Sequence, residues 1–256
     1  MIIECIQSGR SDNWFYLLAD DQRRGGVLID PIDPEAALAR AAALGVEVSW
    51  VLNTHWHPDH TGGNAAVLAA TGAKLAIPAR ERGLIQGGDL FLEGGQRLPV
   101  GQEEAQILDS PGHTVGHIAV LAGRHFFCGD TIFVGGAGNV RFGGDAVTLA
   151  ATFRDVLGAL PDDTLIYPGH DYAVRNLEFC LHIDPDNEAA ARRLEEVRAS
   201  TGLAQSTLGQ ERASSVFCRV QEAGLQARLR ALAPEVAHAD PATRAFVALR
   251  ALRDRW

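Results

Sequence analysis

Between positions 53 and 64 the chain reads NTHWHPDHTGGN, which puts His55, His57, Asp59 and His60 within six positions. Imidazole and carboxylate together suit zinc, iron or manganese. A histidine-rich surface turn would have the same local composition, so the segment must be weighed against the rest of the chain. Three later stretches share one arrangement: a candidate ligand where an apolar β-like run meets a glycine-containing turn. LDSPGHTVGH places His113 there, FFCGDT places Asp130 and LIYPGH places His170. In layered α/β folds such loops collect at one edge of a sheet, the usual position of a site. Five histidines and two aspartates exceed the needs of one ion and suit two ions sharing a carboxylate. Cys5, Cys128, Cys180 and Cys218 are scattered and form no C-x-x-C pair, which argues against a closed thiolate zinc site and against a disulfide framework.

The elements that must carry these residues follow from periodicity and punctuation. Residues 14–20 and 25–31 read as a β-hairpin. Residues 33–45 read as a helix capped by Asp33, with Pro34 in its first turn and Gly45 as its stop. A strand over 48–54 runs straight into the histidine loop, and 62–72 predicts a helix. Further strands are predicted over 74–79, 105–110, 118–123, 125–130 and 164–170, with an amphipathic helix over 145–163. Beyond about residue 172 the texture changes. Residues 185–201 read as a helix, the polar, glycine-containing 201–215 as an extended connector, and 240–256 as a helix with Asp240 at its cap and Pro241 just inside. The expectation is an α/β chain with sheet and helices in layers, followed by a small helical C-terminal domain.

Composition excludes several function classes. At 256 residues, 46% hydrophobic and 21% charged, the chain can bury a full core and is not disordered. It has no apolar run approaching the ~20 residues of a membrane span. MIIECIQSGR lacks the basic start and apolar stretch of a signal peptide, so a cytoplasmic location and no membrane partner are expected. A net charge of −9 argues against a nucleic-acid partner. The cations are nearly all arginine, Lys74 being the exception.

THWHPDH matches the T-H-x-H-x-D-H signature of the metallo-β-lactamase superfamily. With SPGHTVGH, GDTIF and YPGH following in order, the chain resembles glyoxalase II, the hydroxyacylglutathione hydrolase family. The likeness extends over nearly the whole chain, through DNWFYLL, PGHDYAVRNLEFCLHIDPDNEAA and LRALRD. It implies a four-layer αββα sandwich over residues 1–172 and a helical substrate-binding domain over 173–256. It also implies two divalent metal ions per chain, zinc foremost, with iron or manganese as alternatives. His55, His57 and His113 would hold one ion, and Asp59, His60 and His170 the other. Asp130 would bridge them together with a hydroxide, making Asp59 and Asp130 the catalytic carboxylates. The implied partner is a small-molecule glutathione thioester, and a monomer or weak oligomer is expected.

Thioester hydrolysis suits such a site. Neutral water is too weak a nucleophile, and lowering its pKa from ~15.7 to ~7 on a metal removes roughly 12 kcal/mol from the cost of making hydroxide. The leaving thiolate, with a pKa near ~8.5, departs without a dedicated acid.

For the substrate, the resemblance points to Tyr172, Arg250 and Arg253; the arginines sit three apart on one helical face. Residues 241–256 hold four arginines and one aspartate, a cationic segment on an acidic chain that suits glutathione's carboxylates. The loop GDTIFVGGAGNVRFGGD departs from the family. It lacks the usual Cys, puts Asn139 in the slot of the basic residue, and offers Arg141 as the substitute. The carrier thiol could therefore differ from glutathione. The rival reading from another reaction class is a mononuclear iron persulfide dioxygenase, which shares the H-x-H-x-D-H loop; the helical tail favours the hydrolase. His117 is expected to hydrogen-bond in the core rather than ligate, and Asp30 and Asp109 to support ligands or cap turns. His125, His182 and His238 have no motif around them.

Overall fold

The computed structural model describes residues 1–256. They divide into two compact units: Met1–Ser110, Val115–Gly129 and Tyr167–His170 form the first, and Pro111–Thr114, Asp130–Ile166 and Asp171–Trp256 the second.

The first unit opens with β1 (Ile2–Gln7), β2 (Trp14–Ala19) and β3 (Gly26–Ile29), paired antiparallel in sequence. Helix α1 (Pro34–Leu44) then carries the chain across to β4 (Val48–Leu52), parallel to β3. The start of α1 is set by Asp33, whose side chain accepts from Ala36 N, and its end by Gly45 in the left-handed region at φ 65°. After β4 come a single turn, α2 (Pro58–Thr61), and α3 (Asn64–Thr71). Strands β5 (Lys74–Pro78) and β6 (Leu90–Leu92) extend the sheet in parallel. The six-stranded order is β1-β2-β3-β4-β5-β6. Its core packs Phe15, Leu17, Leu28, Val51, Leu75 and Ile77 against Ala37 and Ala41 of α1 and Val67 of α3. The β3-to-β6 half is parallel, so the loops after β3 and β4 leave from the same edge.

A second sheet follows as an antiparallel meander of β7 (Arg97–Val100), β8 (Glu103–Asp109), β9 (Ile118–Ala122) and β10 (His125–Gly129). Burial alternates along β7 and from Glu104 to Ile107 of β8, the mark of a sheet with one face on a core. Tyr167, in the last segment of this unit, stacks on Phe127 of β10 at 4.7 Å.

The first regular elements of the second unit are a hairpin of two-residue strands, β11 (Ile132–Phe133) and β12 (Gly136–Ala137), followed by α4 (Ala146–Asp155). The helix predicted over 145–163 stops early, because Val156 leads into a 3-10 turn at Leu157–Ala159 and Pro161 follows. Residues Leu165 and Ile166 of β13 (Leu165–Pro168) pair with β14 (Ser206–Thr207). Between these strands lie α5 (Ala173–Ile183) and α6 (Glu188–Ala199). Residues 201–215 are not an extended connector. Thr207 and Gln210 form a reciprocal capping box that starts α7 (Leu208–Ser214), and a short polar segment with such a cap needs no long apolar stripe to be helical. Helices α8 (Ala223–Leu232) and α9 (Pro241–Arg255) complete the chain, α9 capped by Asp240 as predicted. Phe246 of α9 packs edge-on against Phe153 of α4 at 4.9 Å and Phe217 at 5.2 Å. No helix is long and apolar enough to cross a membrane.

Candidate metal centre

Strand β4 ends at Leu52 and delivers the histidine loop at the edge of the parallel sheet half. Asn53 clamps this loop: its Nδ2 donates to the His60 carbonyl at 3.1 Å, and its Oδ1 accepts from Asn64 Nδ2 at 2.6 Å. Pro58 starts the single turn α2, which brings Asp59 and His60 back toward the strand ends.

Two donor sets form within the first unit. Asp59, His60 and His170 present ligand atoms that all lie within 4.8 Å of one another, and so do Asp30, His55 and His60. The Asp59 Oδ2 lies 3.3 Å from Nε2 of His170 and 3.8 Å from Nε2 of His60. His55 Nε2 lies 3.0 Å from His57 Nδ1, so these two rings aim nitrogens at one point. Three of these rings have the opposite nitrogen engaged. His60 Nδ1 faces Asp30 Oδ2 at 3.0 Å, His55 Nδ1 faces Thr54 Oγ1 at 3.0 Å, and His170 Nδ1 faces Asp12 Oδ1 at 3.3 Å. Outer partners of this kind set the tautomer and leave the opposite nitrogen's lone pair for a cation. The donors present therefore fit borderline divalent ions, with imidazole and carboxylate and no thiolate among them.

Asp30 is also tied to the backbone and hydroxyl of Thr54. Its Oδ1 accepts from Thr54 N at 2.8 Å and its Oδ2 from the Thr54 hydroxyl at 2.6 Å, besides facing His60. Burial works against the charge on Asp59. The hydrogen bond with His170, the field of His60 and the amide of Asn13 outweigh it and hold that carboxyl well below its usual range. Asn13 donates to the Asp59 carbonyl at 3.0 Å and to its Oδ2 at 3.3 Å.

In the second unit His113 Nε2 stands 3.5 Å from Asp130 Oδ2. His113 Nδ1 is 2.7 Å from the Asn139 carbonyl, so the residue in the slot of the expected cation orients a histidine through its backbone. The side chain of Asn139 accepts from Arg141 N at 3.2 Å. Arg141 itself is half-exposed and reaches Asp254, donating to its carbonyl and lying 3.5 Å from its Oδ2. Tyr172 is exposed at the start of α5, edge-on to Phe133 at 5.3 Å. Arg253 donates to Asn176 Oδ1 at 3.2 Å and lies over Trp256 at 5.5 Å. Arg250, expected at the substrate, is only 5% exposed, and its guanidinium donates to the Ala137 and Gly138 carbonyls and to Asp254.

His117 is buried, bonded through Nδ1 to Ser110 Oγ at 2.8 Å and stacked on His55 at 4.9 Å. Asp109 accepts from Gly94 N at 2.8 Å, a turn support. His125 pairs with the Tyr167 hydroxyl at 2.8 Å. Reading of the sequence missed Asp12, Asn13 and Thr54. Asp12 and Asn13 lie on the DNWFYLL stretch, and Thr54 opens the signature itself; only the contacts reveal their roles.

Residues 9–170 match the model of the metallo-beta-lactamase superfamily, and residues 171–256 that of the hydroxyacylglutathione hydrolase C-terminus. A hydroxyacylglutathione hydrolase of Polaromonas sp. strain JS666 is 44% identical, with all of both chains covered. The crystal structure of ETHE1 from Myxococcus xanthus is similar at 26% identity and a TM-score of 0.69, over 98% of this chain and 99% of that one. The crystal structure of TTHA1623 in a di-iron-bound form is similar at 28% identity and a TM-score of 0.61, over 84% of this chain and 99% of that one. From its histidine loop to its last helix, the chain belongs to the hydroxyacylglutathione hydrolase family of the metallo-beta-lactamase superfamily.

Proposed function

We propose that the chain hydrolyses S-2-hydroxyacylglutathione thioesters, S-D-lactoylglutathione being representative, to glutathione and a 2-hydroxy acid. The observation that carries this reading is the Asp59–His60–His170 set, in which both imidazoles are held from behind by carboxylates and turn Nε2 toward Asp59. The full-length likeness to a hydroxyacylglutathione hydrolase ties that set to thioester chemistry.

We assign His55, His57 and His113 to one divalent ion, Asp59, His60 and His170 to a second, and Asp130 to both. Zinc is the ion proposed, with iron or manganese as substitutes; the di-iron form of TTHA1623 supports a two-ion centre. When bound, such a pair lowers the pKa of water toward ~7 and polarises a carbonyl oxygen. The task of the chain is geometric. Asp30, Thr54 and Asp12 hold ring orientations, Asn13 holds Asp59, and Asn139 holds His113. Tyr172, Arg141 and Arg253 receive the glutathione moiety, the cations through its carboxylates. The thiolate departs without a proton from the protein. In this reading residues 1–172 are catalytic and 173–256 bind substrate. The working form is a monomer or weak oligomer that detoxifies methylglyoxal-derived thioesters in the cytoplasm.

A steady-state assay on S-D-lactoylglutathione and on simple thioesters, with metal analysis of the same sample, tests the assignment. Absence of turnover by protein carrying two ions per chain would remove the substrate. Oxygen uptake with a glutathione persulfide by a one-iron sample would put a dioxygenase in its place.

A further inference from the structure

We propose that Arg250 and Glu211 are positioning residues for His113 and Asp130, acting through the main chain of residues 134–139. One short loop of chain touches both expected ligands. It leaves Asp130, turns through the β11–β12 hairpin, and returns with Gly138 N on the Thr131 carbonyl at 3.1 Å. At Asn139 its carbonyl meets His113 Nδ1 at 2.7 Å. At Gly138 it passes against both ligands: a Cβ there would lie 1.9 Å from the Asp130 carbonyl oxygen and 3.2 Å from His113 Cβ. Any displacement of Ala137–Gly138 therefore moves His113, Asp130 or both.

This loop is held from the helices. Arg250 of α9 donates through Nη1 to the Ala137 carbonyl at 2.7 Å and to the Gly138 carbonyl at 3.2 Å. Its Nη2 is fixed by Asp254 at 2.9 Å, and its guanidinium lies over the Phe217 ring at 5.7 Å. Glu211 of α7 is fully buried and accepts the Gly135 N–H at 2.8 Å, with Ser206 Oγ on its other oxygen at 2.5 Å. Asn176 adds a bond to the Val134 carbonyl at 3.1 Å. A buried guanidinium and a buried carboxyl group are costly to desolvate, and here both aim at backbone groups of one turn. Such bonds fix direction, which a ligand-bearing loop needs and a solvated loop does not. The metal half of the reading given above is assumed; its thioester half is not.

The test is zinc affinity, measured by competition with a chromogenic chelator, for the whole chain and for R250M, E211Q and R250K. R250M and E211Q are expected to bind at least one zinc ion about tenfold more weakly, the lower end of the loss seen when a ligand's direct outer partner is removed, because these two act one bond further out. R250K, which keeps a donor over the Ala137 carbonyl, is expected to recover much of it. Turnover by R250M at limiting zinc should fall and return with added zinc. Zinc affinity of R250M and E211Q within twofold of the parent would overturn the proposal, and a KM raised at every zinc concentration would then make Arg250 a substrate contact only. If R250M does not fold, R250K and E211Q carry the same comparison. The zinc titration uses no thioester. A parent chain that binds zinc but does not hydrolyse S-D-lactoylglutathione would sink the assigned reaction and leave this proposal standing.

Discussion

Asp30 Oδ2 faces His60 Nδ1 at 3.0 Å while accepting the Thr54 hydroxyl at 2.6 Å. One carboxylate oxygen thus serves two neighbours of the histidine loop. Asp30 follows β3 directly with φ at 52°, in the left-handed region that aspartate tolerates better than most residues. Replacing Asp30 by Ala removes the acceptor and frees the His60 ring. Zinc affinity is expected to fall about 10–100-fold, and stability by about 1–3 kcal/mol for the buried partners left unmatched. Chelator competition and urea unfolding measure the two effects; unaltered zinc affinity would show that Asp30 does not orient His60.

His113 and His117 lie in one short motif but in different chemistry. His117 is tied to Ser110 and stacked on His55, whereas His113 stands beside Asp130. H117A is expected to lose about 2–4 kcal/mol of stability from the cavity and the orphaned Ser110, and still to carry two ions at saturating zinc. H113A should carry fewer than two. Metal analysis after gel filtration reads both, and a full complement in H113A would remove it from the ligand set.

Glu211 is fully buried, and burial, the dominant cause, raises its carboxyl to about 7; Ser206, Gly135 N and Arg193 oppose the shift. The sign follows from proton counting. Between its ordinary value of 4.5 and about 7 the folded state holds a proton that the unfolded chain releases. Its contribution to stability is most favourable below about 4.5 and declines as pH rises through that window. It is level above about 7. E211Q removes this titration. The stability of the parent relative to E211Q should decline by on the order of 3 kcal/mol from acid to neutral pH. Urea midpoints across that range test it, and parallel pH curves for the two proteins would contradict the shift.

Arg253 is drawn down to about 10, by burial first and then by Arg175 and Arg250. It stays charged at neutral pH, next to Trp256 and Asn176. R253A is expected to raise KM for S-D-lactoylglutathione about tenfold, equivalent to about 1.4 kcal/mol, with kcat within about twofold. Simple thioesters without glutathione's carboxylates should show no change in KM. A fall in kcat at constant KM would place Arg253 in the chemistry instead.

The residue types of the proposed site stand out in the chain because metal chemistry would demand them and loop punctuation marks them. His55, His57, Asp59 and His60 follow a strand, and His113, Asp130 and His170 each follow an apolar run. Helices α1 and α9 were legible for the same local reason, since Asp33 and Asp240 act on their own next turn. Helix α7 depended on the same kind of cap, Thr207 with Gln210, and went unread because its segment is short and polar. What tertiary structure alone decided is which polar group meets which backbone. Asp30 reaches across to Thr54 and His60, and Arg250 reaches from the last helix to the Ala137 carbonyl. A side chain written into a motif advertises its charge, not its destination. The destination is set by where packing of distant strands and helices leaves an unpaired donor or acceptor, and no local pattern encodes that.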